Sequence, residues 1–299
     1  MLEVRNLAKR YGSRPVLNGL SFTIEAGDLY TLLGPNGAGK TTTINIITGL
    51  LAADQGTVSL DGRTLTGRKR AQIGIAPQDN LIYRSLTCAE NLMFFGRLYG
   101  FSGRKLRDRV QAGLESVNLA DRADTLASRL SGGMQRRLNL AIATVHAPRL
   151  LILDEPTAGL DVEARYDIWE FVRGLQRLGT SILLTTHLLD EAQALSQRLG
   201  ILKDGRLVVE GNVEELIASL PSRDPVAVET SDEAAAIARG RELGFIPRRY
   251  AGKLHFWLPQ RMELQQVAQA FTGIALEGIV HRPLHLEYCY LEATGHCDV

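Results

Sequence analysis

The sequence has no apolar run of about 18 residues, the length at which a stretch reads as a membrane-crossing helix, so no transmembrane helix is expected. Its opening, MLEVRNLAKRYG, carries charges early and has no apolar core of a secretory signal. Cysteine is scarce. Cys88, Cys289 and Cys297 show no metal-ligand spacing, and an odd, sparse set suits a reducing compartment better than a disulfide framework. A charge excess is also missing: a formal net charge of +1 gives no electrostatic basis for binding nucleic acid, and none is expected as a partner. There is no internal repeat and no low-complexity segment. These absences point to a chain made and kept in the cytosol, free to dock on a membrane protein.

What is present is enough for one large domain, or one domain plus a smaller one: 299 residues, 45% hydrophobic and 22% charged. The first segment is β-rich, through LEVRNL and SFTIEAG. The short apolar run Leu29–Leu33 reads as a buried parallel strand. It leads through a glycine loop into a helix from about Lys40 to Thr48, stopped by Gly49. GTVSLDG and IGIAPQ read as further strands, the first with an Asp-Gly turn. Residues 87–146 read as mostly helical, with Thr87 and Glu90 forming a capping-box pattern. RLLILDEP and SILLTTH are buried strands on either side of an amphipathic helix, EARYDIWEFVRGLQRLG. RLGILKDGRLVVEG predicts a hairpin turned at Asp204-Gly205, followed by a helix capped by Asn212. The stretch PSRDP, Pro221 to Pro225, breaks this pattern and places a boundary. Beyond it, strand, helix, strand, helix and strand alternate as a small α+β module.

GPNGAGKTT, Gly34 to Thr42, fits the phosphate-loop pattern G-x-x-x-x-G-K-[ST], with a strand before it and a helix after it. Its glycines let successive N–H groups turn toward phosphate oxygens, and the helix adds its positive end. Lys40 can reach the β- and γ-phosphates, and the Thr41 hydroxyl can ligate Mg²⁺. Kinases, GTPases and many ATPases share this loop. In LLILDEP, Asp154 ends a buried strand where a parallel sheet presents its ligand site, suited to hold Mg²⁺. Glu155 points elsewhere and can polarise a water for attack on the γ-phosphate. Gln78 and His187 also end apolar strands, where a single histidine is more often structural than catalytic. LSGGMQRRL opens a helix on Ser131, a natural cap, and then spends two glycines, Gly132 and Gly133, which leave room for something to approach the backbone.

In this order, GPNGAGKTT, Gln78, LSGGM, LLILDEP, AGLD and His187 resemble the ATPase subunits of ABC transporters, over residues 1 to about 220. The resemblance implies an α/β P-loop NTPase fold in residues 1–220, with an N-terminal antiparallel β subdomain and a helical subdomain at about 80–146, and leaves 225–299 as a small C-terminal α+β accessory domain. It implies ATP and Mg²⁺ as cofactors. Tyr11 would stack on adenine with Val16 beside it, and Gly34, Pro35, Asn36, Gly37, Ala38, Gly39, Lys40, Thr41 and Thr42 would hold the phosphates. Thr41, Gln78 and Asp154 would serve the metal, Glu155 would be the catalytic carboxylate, and His187 would contact the γ-phosphate. Lys40 and Gln78 join the catalytic set, Gln78 also facing the membrane partner. Ser131, Gly132, Gly133 and Asp161 would complete the ATP-binding set, reaching the nucleotide of a second copy across the interface. The family's usual Leu-Ser-Gly-Gly-Gln has Met134 in its fifth place here.

NLMFFGRLYG and GGMQRRL further resemble ATPases of type-two exporters of drugs, lipids or polysaccharides. PLHLEYCYLEATG resembles that group's closing motif, with Tyr288-Cys289-Tyr290 in place of its acidic-Val-Phe pattern. The implied partners are a separately encoded integral membrane permease and a second copy of the chain, at the cytoplasmic face of the membrane. Two other readings compete. A soluble ABC ATPase in translation or DNA repair would usually carry two ATPase domains or long coiled-coil insertions, and neither is present. In the other, nucleotide only regulates assembly and is not hydrolysed. The tail reads as a stabilising or dimerisation module, with ligand sensing as its alternative.

Overall fold

Strand β3 (Leu29–Leu33) is buried at every position, as a central parallel strand covered on both faces must be. In the computed structural model, which describes residues 1–65, 67–222, 225–295 and 297, it is the third element. Before it, β1 (Leu2–Tyr11) and β2 (Arg14–Ile24) pair antiparallel, and they join β4 (Gln55–Leu60) and β5 (Arg63–Thr64) in a sheet of order β2-β1-β4-β5. This is the expected antiparallel β subdomain. Helix α1 (Lys40–Thr48) follows β3 and ends on Gly49 in the left-handed conformation, φ 76°.

The strands that carry the motifs lie in one parallel sheet. β6 (Ile73–Ala76), β7 (Leu150–Asp154), β8 (Ser181–Thr186) and β9 (Arg198–Lys203) join β3 in the order β9-β3-β8-β7-β6. Because they run the same way, their carboxyl ends open on one edge of the sheet. The loop after β3 and the first turn of α1 carry Gly34–Thr42, β6 leads to Gln78, β7 ends on Asp154 and leads to Glu155, and β8 leads to His187. The fold thus gathers motifs up to about 150 residues apart in sequence.

The helical subdomain is built from α2 (Cys88–Leu98), α3 (Gly103–Ser116) and α4 (Gly132–Thr144), closing a core around Leu92, Leu106, Leu114, Leu138 and Ile142. Thr87 and Glu90 form both bonds of the expected capping box. Helix α5 (Val162–Arg177) packs Ile168, Trp169 and Val172 against the core beneath β7 and β8. Helix α6 (Leu189–Leu195), which has no counterpart in the sequence reading, follows His187. β10 (Arg206–Asn212) follows the Asp204-Gly205 turn. The turn leans on the start of β2: Asn18 donates its backbone N–H to the Gly205 carbonyl and its side-chain amide to the Asp204 carbonyl.

The chain divides into two units, Met1–Leu207 and Val208–Val299. The division lies ahead of the Pro221–Pro225 break because helix α7 (Val213–Ala218) packs on α10 (Leu286–Thr294), and Leu220 packs with Tyr250, Trp257 and Tyr288. The second unit runs β11 (Pro225–Thr230), α8 (Glu233–Glu242), β12 (Ile246–Tyr250), β13 (Lys253–Trp257), α9 (Leu264–Ala270) and β14 (Leu276–His281). Its sheet, β12-β13-β11-β14, is wholly antiparallel, the split βαβ arrangement. β13 shows why both faces are covered. Leu254 and Phe256 face the core with Val267 and Phe271, whereas Trp257 joins Tyr250 and Tyr288. Glu292 of α10 fastens that side, accepting from Arg248 Nε at 2.8 Å, the Tyr250 hydroxyl at 2.5 Å and Trp257 Nε1 at 3.2 Å. Cys88, Cys289 and Cys297 are buried. Among the described residues no helix is long and apolar enough to cross a membrane.

Gly74 in β6 sits against α4, and a Cβ there would overlap the Ala143 carbonyl oxygen and crowd Pro148. Gly74→Ala is therefore expected to cost about 1–3 kcal/mol of stability, read as a lowered midpoint in thermal unfolding. An unchanged midpoint would show that α4 can move away freely.

Candidate functional site

The loop after β3 closes only because of its glycines. Gly37 and Gly39 have φ of 83° and 111°, and a Cβ on Gly39 would stand 2.7 Å from Leu17 Cδ2. No side chain caps α1, so its first-turn N–H groups are left for another acceptor. Lys40 is buried, its ammonium donating to the Gly34 carbonyl at 2.7 Å and the Pro35 carbonyl at 3.2 Å. It also lies 3.2 Å from Glu155 Oε1.

Glu155 follows β7 with φ 48°, a left-handed conformation that L side chains seldom adopt. The bend turns its carboxylate away from that of Asp154. Glu155 Oε2 lies 3.1 Å from His187 Nδ1, so its two oxygens face Lys40 and His187. Asp154 accepts from Thr185 at 2.6 Å on one oxygen and from Thr41 at 3.3 Å on the other. Thr41 and Asp154 form an all-oxygen pair. Such donors fit Mg²⁺, which takes one or two protein oxygens and completes its shell with phosphate and water.

Lys40, Thr41 and Glu155 open into a cavity of about 400 Å³; Asp154 and His187 stand behind its wall, bonded to Thr41 and to Glu155. Tyr11, at the end of β1 and half exposed, forms part of its wall with Val16, and Asn36, Gly37, Gly39, Lys40, Thr41, Thr42, Gln78 and Glu155 complete it. Gly34, Pro35 and Ala38 belong to the same loop but do not line the cavity; the first two hold Lys40 through their carbonyls, and Ala38 is buried. Arg14, which motif reading missed, lines the cavity beside Tyr11.

Ser131, Gly132, Gly133 and Asp161 lie elsewhere, in a separate cavity of about 340 Å³. Ser131 caps α4, accepting the Met134 N–H at 3.3 Å, and Asp161 caps α5, accepting the Ala164 N–H at 2.8 Å. A Cβ on Gly133 would approach the Ala164 Cβ to 3.0 Å, so the two helix starts meet closely. Met134 packs, partly buried, against the helical core. The next residue, Gln135, donates its side-chain amide to the Leu130 carbonyl at 3.0 Å.

Sequence reading missed Arg136 altogether. Its guanidinium is buried beneath the site and donates to the carbonyls of Pro77 (2.6 Å), Gln78 (2.9 Å), Asp154 (2.9 Å), Glu155 (2.8 Å) and Pro156 (2.7 Å). Burial draws its pKa below the usual arginine value, against the pull of Asp154 and other nearby carboxylates. Two asparagines were missed as well. Asn139 accepts the Leu81 N–H at 3.0 Å and Asn91 the Tyr83 N–H at 2.8 Å, pinning the loop beyond Gln78. Their one sequence signal is an amide inside an otherwise apolar helix face.

Comparison with known proteins shows the family. The sequence model of the ABC transporter family matches residues 17–158. The Nod factor export ATP-binding protein I of Burkholderia lata is 39% identical, over 98% of this chain and 97% of its own. The linearmycin resistance ATP-binding protein of Bacillus subtilis is 40% identical, over 74% of this chain and 72% of its own. A solved dimeric ATP-binding cassette, in a post-hydrolysis state with ADP and phosphate, superposes with a TM-score of 0.64 at 27% identity, over 71% of this chain and 98% of that one. With its phosphate loop, its strand-end carboxylates and a full-length relative at this identity, the chain belongs to the ATP-hydrolysing ATP-binding subunits of ABC transporters.

Proposed function

We propose that two copies of this chain bind ATP head to tail and power a membrane exporter, with hydrolysis carried out by Glu155, Lys40, His187 and Gln78. The observation that carries this reading is the separation of the two cavities. Lys40 and Glu155 line one, and Ser131–Gly133 and Asp161 line the other. Each chain thus holds two half-sites, and a two-fold pair completes both at once. ATP bound on one copy's loop meets the Ser131 end of α4 on the other, where the helix N-terminus favours the γ-phosphate. Only the closed pair supplies both sets of contacts, so ATP stabilises closure.

The chemistry is positioning and charge neutralisation. Tyr11 and Val16 hold the base, and Gly34–Thr42 the phosphates. Thr41, Asp154 and Gln78 would hold Mg²⁺, which when bound neutralises charge on the β- and γ-oxygens. Both Glu155 oxygens are engaged, one with Lys40 and one with His187. A γ-phosphate draws the Lys40 ammonium to itself and leaves that carboxylate oxygen to polarise the attacking water. His187 keeps its hold on the other oxygen and so fixes the carboxylate's direction.

Export and a permease partner are supported in two ways. The relatives named above are an export protein and a resistance protein. Beside the pinned loop that follows Gln78, the helical subdomain also presents Leu81, Tyr83, Phe94, Leu98 and Tyr99 as exposed apolar side chains, with the Tyr83 and Phe94 rings 4.8 Å apart. An apolar patch of this kind is a docking surface, here for the cytoplasmic face of a separately encoded permease. All the site residues fall within the first unit, which supports reading residues 225–299 as an accessory domain.

Glu155→Gln is expected to lower hydrolysis on the order of 10²–10⁴-fold while sparing ATP binding, with an ATP-dependent dimer accumulating in size-exclusion chromatography. Near-normal turnover would remove Glu155 from the mechanism. Ser131→Arg should leave nucleotide binding to the single chain intact and abolish that dimer. Loss of binding by the monomer would instead place Ser131 in its own chain's site. Tyr83→Glu combined with Phe94→Asp should end co-purification with the permease at unchanged ATP affinity, and retained co-purification would move the docking surface elsewhere.

A further inference from the structure

We infer that Glu191 is a positioning residue that holds the segment carrying Glu155 and Asp161 in register with the segment carrying His187. Glu191 lies on α6, four residues after His187, and is completely buried. Its Oε1 accepts the Thr157 hydroxyl at 2.7 Å and Trp169 Nε1 at 3.4 Å. Thr157, also fully buried, stands two residues after Glu155 and four before Asp161. Trp169 belongs to α5, the helix that Asp161 caps. One carboxyl oxygen therefore joins three pieces of chain: the turn after β7, the helix that begins at the partner-facing half-site, and the helix that follows His187.

Glu191 does not line the nucleotide cavity, so it acts through these bonds and not on substrate. Burial raises its pKa, outweighing the hydrogen bonds it receives, which favours the neutral acid. Burying a carboxyl group costs more than burying a hydrocarbon side chain. What it offers in return is direction, because an acceptor fixes the Thr157 hydroxyl where packing alone would not. The bridge leads from the half-site that hydrolyses ATP to the half-site offered to the other copy. It rests on the reading of Glu155, His187 and Asp161 given above, and it ties their relative placement to the hydrogen bonds that Glu191 accepts, the Thr157 bond above all.

The test is steady-state ATP hydrolysis by the purified full-length chain, with kcat, KM and thermal midpoint measured for Glu191→Gln, Glu191→Ala, Thr157→Val and the Thr157→Val/Glu191→Ala double variant. Thr157→Val keeps the shape and removes the donor, so it carries the test even where Glu191→Ala fails to fold. Thr157→Val and Glu191→Ala should lower kcat roughly ten- to hundredfold with KM nearly unchanged. The double variant should be no worse than the more impaired single, since all three break the same bond. Glu191→Gln, with the same shape and an acceptor oxygen, should keep near-normal kcat. An unchanged kcat in Thr157→Val, additive losses in the double variant, or Glu191→Gln as impaired as Glu191→Ala would each overturn the proposal. Glu155→Gln is run alongside: normal turnover there, with Thr157→Val impaired, would overturn the role given to Glu155 and leave the bridge standing.

Discussion

One buried guanidinium holds the active edge of the sheet together. The chain turns away from the sheet after β6 and again after β7, and each turn leaves carbonyls pointing inward with no strand to pair them. Arg136 meets them with a rigid fork of N–H donors that reaches Pro77 and Gln78 on one side and Asp154, Glu155 and Pro156 on the other. Burying such a cation costs several kcal/mol, and charge-assisted bonds to main-chain carbonyls offset that cost only when the fork is filled. The residue sits on α4, the helix that Ser131 caps. Arg136 thus ties that helix directly to the backbone of Gln78 and Glu155.

The strain at Glu155 belongs to the same arrangement. A left-handed glutamate costs on the order of 1–3 kcal/mol and persists only where its surroundings over-determine it. Here the Arg136 bond to its carbonyl, the Lys40 ammonium and the His187 ring each hold a different part of the residue. The result is two successive carboxylates with different surroundings. Asp154 is fixed by two threonine hydroxyls and Glu155 by a lysine and a histidine, so neither competes for the other's partners.

Much of this was legible in the sequence, for local reasons. Gly39 and Gly49 mark both ends of α1 because glycine alone takes those backbone angles easily, and the runs of β3, β7 and β8 read as buried strands because their apolar character is nearly unbroken. The Thr87 and Asn212 caps were readable for the same reason: their bonds close within four residues. The missed pieces depend on distant partners. Arg136 looks like any surface arginine on a helix until the turns of β6 and β7 close over it. The short helix α6 has its acidic Glu191 facing inward, against the usual pattern. β12, Ile-Pro-Arg-Arg-Tyr, shows little alternation, because Arg248 is drawn onto Glu292 of a helix more than 40 residues later. The break at Pro221–Pro225 marks a real change of local pattern, yet α7 and Leu220, just before it, pack on α10 and on the aromatic side of the second sheet.

The two separate cavities also bear on how damage is shared between copies. In the head-to-tail pair proposed here, the Lys40 loop of each copy would face the Ser131 end of the other. When a chain broken at Lys40 pairs with one broken at Ser131, both defects fall into the same site, and the opposite site is made of two intact halves. Two inactive proteins can then form one working site, whereas two copies of either form none. The layout of the half-sites thus sets rules of complementation: which defects mask each other depends on the face of the chain on which each residue lies.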